Sequence, residues 1–166
     1  MRYSIYAAIP LLGLLAVVQT AVLPKFTILG ASPQLPFLMA LAWGLLHTHE
    51  EGMIWAFVAG LWMDVFSITP MGLTAMVYVV AVTAVLIINS AFPTSRLLMP
   101  VLMAGLATII AFLLNLIILR ILGISTNFQA INFLPTYTLL NSIFILPVYW
   151  AIYALERKFR PKQIQL

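Results

Sequence analysis

The sequence predicts an all-α, polytopic integral membrane protein of six transmembrane helices with both termini in the cytoplasm, and three observations carry that prediction. Hydrophobic residues fill 64% of the 166 positions and charged ones only 7%, against about 25% charged in ordinary soluble domains. Apolar runs separated by Pro, Gly and charge cover nearly the whole chain, giving a mean hydropathy of +1.12. The basic residues are unevenly shared between alternate span ends. With so little polar sequence, residues 1–166 read as a single membrane domain with no soluble domain beside it.

The opening stretch, MRYSIYAAIPLLGLLAVVQTAVL, has the basic residue and apolar run of a signal peptide. The run is about 19 residues long and no small-x-small cleavage site ends it, so it reads as an uncleaved first span near 5–23. The second and third spans, near 36–49 and 52–67, are shorter than the roughly 20 residues a straight crossing needs. Tilting, local bilayer thinning and a re-entrant hairpin all stay open for this pair. Three further spans follow near 71–90, 97–122 and 134–155, and a basic tail occupies 156–166.

Orientation comes from the cations. Arg2, Arg96, Arg157, Lys158, Arg160 and Lys162 fall on one side of a six-span arrangement, and only Lys25 and Arg120 on the other, which places both termini inside. The tail then lies at the inner surface, where anionic lipid attracts basic residues by about 1 kcal/mol each. The chain has no cysteine, which excludes disulfides and thiolate metal sites and leaves the redox compartment undetermined. Small residues four apart (Ala40 with Gly44, Ala56 with Gly60, Ala104 with Thr108, Ala107 with Ala111) put small side chains on one helix face, as close packing inside a bundle requires.

Within GLWMDVFSITPMG, residues 60–72, Asp64 stands out. A carboxylate is expensive in the middle of a bilayer, less so about one turn from a span end, where this topology puts it. Thr69 and Pro70 have the form of an N-cap and first helical residue, so the fourth span should start there with its N–H groups free. A carboxylate near those groups is hydrogen-bonded and favoured by the helix dipole. Gly60, four residues before Asp64, and Gly72 would let the two helices approach. The pattern describes a structural pin in preference to a catalytic acid. A second partner is available in Arg120, which the topology also places near the outer leaflet, as an ion pair with Asp64.

HTHEE at 47–51 is the densest ionisable cluster. His47 and His49 point in different directions on a helix and no further cluster of His or carboxylate exists elsewhere to complete a shell, so the segment reads as a polar turn, with no metal site expected. Gln19, Asn89, Asn115 and Asn141 are isolated polar residues, suited to interhelical hydrogen bonds of around 0.6 kcal/mol each. Several ionisable residues at midplane depth, as an ion pathway needs, are lacking. No GxSxG, HExxH, P-loop or paired carboxylates occur, so neither catalysis nor a cofactor is expected, nor a nucleic-acid partner. Trp43, Trp55, Trp62 and Trp150 read as packing and interface anchors.

The stretch AFVAGLWMDVFSITPMGLTAM resembles the signature of the rod shape-determining protein MreD family: Gly-x-x-x-Asp, a short turn, then Gly and a hydrophobic helix. Gln19 at the end of the first span, Pro33 and Pro36 before the second, and Asn141 with Pro147 ahead of the basic tail extend the resemblance nearly end to end. The resemblance carries Gly60, Asp64 and Gly72 over as motif positions. It implies a multi-pass protein of the bacterial cytoplasmic membrane with no catalysis of its own. It also implies a place in the elongation machinery, binding MreC and connecting MreB filaments to the peptidoglycan synthase RodA and its penicillin-binding transpeptidase. The alternative is the substrate-binding component of an energy-coupling factor vitamin transporter, another small six-span protein whose fold the MreD family is thought to share. Against it, the usual Ala-x3-Ala dock of the first span has only Ala16 with Thr20 as its equivalent, and LGISTNFQAINFLP offers uncharged polarity alone.

Overall fold

The computed structural model describes residues 2–28, 30–91, 98–124 and 128–159. They form an all-helical bundle of α1 (Arg2–Ala21), α2 (Leu35–Leu46), α3 (His49–Val65), α4 (Leu73–Ser90), α5 (Leu98–Ile121) and α6 (Leu134–Phe159). Short 3-10 turns at Leu23–Lys25 and Phe128–Phe133 follow α1 and precede α6. Among the described residues, four segments are long and apolar enough to cross a membrane: Ala8–Lys25, Leu73–Ser90, Leu98–Ile121 and Ile131–Leu155. At 12 and 17 residues, α2 and α3 extend about 18 and 25 Å, short of a hydrocarbon core of about 30 Å.

The helices pack as a serpentine in which α3 lies between α2 and α4, α5 joins α4 to α6, and α6 returns to touch α2. Association of apolar helices in lipid depends on close packing and hydrogen bonds, since lipid is as apolar as the side chains it would exclude. The interior accordingly holds small residues. All eight members of the four small-residue pairs are buried within the bundle. Gly44 and Gly52 bring α2 and α3 into backbone contact: a Cβ on Gly52 would lie 2.8 Å from the Gly44 Cα. Large apolar residues such as Leu14, Met76, Ile87, Leu102 and Leu139 are exposed on the outer faces, as a lipid-facing surface demands. On α1, Gly13 makes room for the Trp62 indole, whose Nε1 donates to the Ile9 carbonyl at 3.1 Å.

The α2–α3 connection lies three residues earlier than the spans read from the sequence place it: α2 ends at Leu46 and α3 begins at His49. Thr48 is the reason. It is extended (φ −95°, ψ 155°) and its hydroxyl accepts from the Glu51 N–H at 3.3 Å, the N-cap half of a Thr-x-x-Glu capping box. Glu51 is buried, its carboxylate accepting from Trp43 Nε1 at 2.9 Å. Trp43 in turn stacks between Trp55 (4.0 Å between centroids) and His47 (4.2 Å). The HTHEE segment is thus a helix start welded to an aromatic stack.

Candidate functional site: a buried carboxylate at the start of α4

Four residues apart on one face of α3, Gly60 and Asp64 confront the first turn of α4. Gly60 has no room for a side chain: a Cβ would lie 2.6 Å from the Ala75 nitrogen and 2.8 Å from the Thr74 carbonyl carbon. Backbone therefore meets backbone, and one turn further on the short Asp64 side chain spans the gap. Asp64 is 3% exposed. Its Oδ2 accepts from the Gly72 N–H at 2.9 Å and the Ala75 N–H at 3.2 Å, and its Oδ1 from the Thr74 N–H at 2.9 Å.

The accounting of the helix start is complete. An α-helix leaves its first N–H groups without intrahelical acceptors; here Asp64 takes those of Gly72, Thr74 and Ala75, and the Leu73 N–H donates to the Pro70 carbonyl at 3.2 Å. The intrahelical series then opens with Met76 N–H to Gly72 carbonyl at 3.0 Å. The carboxylate also faces the positive end of the α4 dipole. Of the two partners open to Asp64 in the sequence, the one in hydrogen-bond contact is the start of α4. Arg120 is exposed in the last turn of α5.

Two expectations are corrected. The N-cap of α4 is Gly72, and Thr69 and Pro70 lie in the preceding turn. The Thr69 hydroxyl is hydrogen-bonded to Ser67 Oγ at 2.8 Å, and the carboxylate from α3 fills the place an N-cap side chain would take. Gly72, moreover, is not needed for helix approach: a Cβ there would meet nothing within 4 Å. Its φ of +93° is what requires glycine.

A second helix start is capped in the same manner by residues that looked isolated in sequence. The Gln34 N–H donates to Asn141 Oδ1 at 2.9 Å and the Leu35 N–H to Gln19 Oε1 at 2.8 Å. Pro36, in the first turn, contributes no donor. Asn141 is fully buried, and its Nδ2 donates to Thr108 Oγ1 at 3.0 Å, which donates to the Ala104 carbonyl at 2.7 Å. One amide thereby joins α2, α5 and α6. Asn141→Leu, which takes the acceptor from the part-buried Gln34 N–H and the donor from Thr108, is expected to destabilise the bundle by about 2 kcal/mol, read as a fall in the melting temperature of the purified protein; an unchanged melting temperature would remove Asn141 from the scaffold.

Fold and site together define a helical membrane protein in which the buried side chains of Gln19, Asp64 and Asn141 accept from the N–H groups of helix starts. Residues 1–159 match the family model described as rod shape-determining protein MreD, and the chain belongs to that family. No curated protein and no solved structure gave a match. Membership makes the chain a membrane protein with a role in rod-shape determination.

Proposed function

We propose that the protein is a non-enzymatic, multi-pass component of the bacterial elongation machinery in the cytoplasmic membrane. In this reading it crosses six times with both termini inside, binds MreC, and with it links MreB filaments to RodA and its penicillin-binding transpeptidase. Gly60, Asp64 and Gly72 have a structural role: they fix the α3–α4 hairpin and with it the surface that a partner recognises. The observation that carries the reading is the arrangement at Asp64. Its oxygens accept from three backbone N–H groups, which suits a scaffold and leaves the carboxylate poorly placed for proton transfer.

The test is affinity purification of the tagged full-length protein from its native membranes in mild detergent, with mass spectrometry of what accompanies it. Recovery of MreC, with or without the wall synthases, is the expected result. A transport ATPase pair with its coupling subunit in place of MreC would sink the adaptor reading in favour of a carrier.

A further inference from the structure

At the Asp64 end of the bundle a cavity of about 480 Å³ lies among α4, α5 and α6, within the 300–1,000 Å³ range typical of small-molecule sites. Its polar lining comes from Gln34, Thr69, Thr74, Tyr78, Thr108, Asn115 and Tyr137. Tyr78 and Thr108, at 6% and 2% exposure, belong to the buried interior, whereas Asn115 and Tyr137 are half-buried. Val77, Ala111, Leu116 and Leu119 supply apolar wall, and the Phe112 and Tyr137 rings stand as a tilted pair 6.2 Å apart.

The chemistry of this lining is selective. No described residue lining the cavity is charged, and Asp64 directs its oxygens at the amides of α4. An ion seated against these walls would give up part of its hydration with no opposite charge among the described lining residues to meet it, a larger penalty than that of a neutral polar group. Hydroxyls and carboxamides, by contrast, both donate and accept, and suit groups that do the same. Aromatic and aliphatic walls in the same cavity suit an apolar body.

We infer that this cavity is a binding site for an uncharged amphiphile, with hydroxyl or amide groups at one end and an apolar body at the other. The inference is independent of the adaptor role. Such a molecule has two sources, the membrane and the aqueous phase, and the requirement for an apolar body separates them.

The test uses the purified full-length protein in lipid nanodiscs and radiolabelled octyl glucoside below its micelle-forming concentration, with partition into empty discs subtracted. Saturable binding of octyl glucoside is expected. Asn115→Leu, which keeps the volume and removes the carboxamide, should weaken it by about tenfold, the scale of one lost hydrogen-bonding partner. Ala111→Phe, which fills the cavity, should abolish it. Absence of a saturable component, or equal binding by wild type and Asn115→Leu with an unchanged melting temperature, would overturn the site. Octyl sulfate competing as well as octyl glucoside would overturn the preference for a neutral head. Equal competition by methyl glucoside would overturn the need for an apolar body, and with it a membrane source.

Discussion

Asp64→Asn is expected to destabilise the purified bundle by about 2 to 4 kcal/mol, lowering its melting temperature by about 5 to 10 °C. The carboxamide keeps one acceptor oxygen where the carboxylate has two. Whichever way it is turned, its NH2 faces at least one of the N–H groups of Gly72, Thr74 and Ala75 that Asp64 now accepts. At least one charge-assisted hydrogen bond is lost and a donor is left facing a donor in a buried place. The attraction between the negative group and the helix dipole goes as well. Binding of a partner protein should fall with stability. If the melting temperature holds while partner binding is lost, Asp64 touches the partner and the structural role is wrong.

Gly60→Ala should be about as damaging, although it adds one methyl group. The new Cβ falls within the Ala75 backbone, which cannot rotate away as a side chain can, so α3 and α4 must separate. Overpacking of this kind costs about 1 to 3 kcal/mol, and separation also lengthens the Asp64 hydrogen bonds. The two substitutions act through one contact, so the double variant Gly60→Ala, Asp64→Asn should lose less stability than the sum of the singles. Gly105→Ala is the control. There the nearest neighbour of a Cβ is the Ser142 Oγ at 3.0 Å, a rotatable hydroxyl, and the melting temperature should scarcely move. Equal losses at Gly60 and Gly105 would show that the close approach at Gly60 has no special standing.

What was readable in the sequence divides along chain distance. Asp64 and the N–H groups it accepts are 8 to 11 residues apart, so a carboxylate, a short turn and a new helix suffice to suggest their meeting. Thr-Pro is a strong local cap pattern that points to an earlier start for α4 than the one observed, and a pattern cannot show that a carboxylate from another helix has taken the cap's place. The reason for Gly72 is likewise hidden from the sequence, since a positive φ and a close approach ask for the same residue. Thr48-x-x-Glu51 has the form of a capping box in the sequence, local enough to be read there beside the two histidines. The start of α2 was beyond reach: Gln19 and Asn141 meet backbone N–H groups, donors that nearly every residue carries, and nothing in the sequence marks which ones.

That last cap also orders events in time. Asn141 is 107 positions beyond the Gln34 N–H it receives, whereas the α3–α4 hairpin closes over 11 or fewer. During synthesis, which proceeds from the N-terminus, the hairpin can be complete while α6 has yet to be made. Gln19 is already present to meet Leu35, but the neighbouring donor must wait for the final helix. Until then the entrance to α2 is half-finished, and α6 is the latch whose arrival closes the bundle.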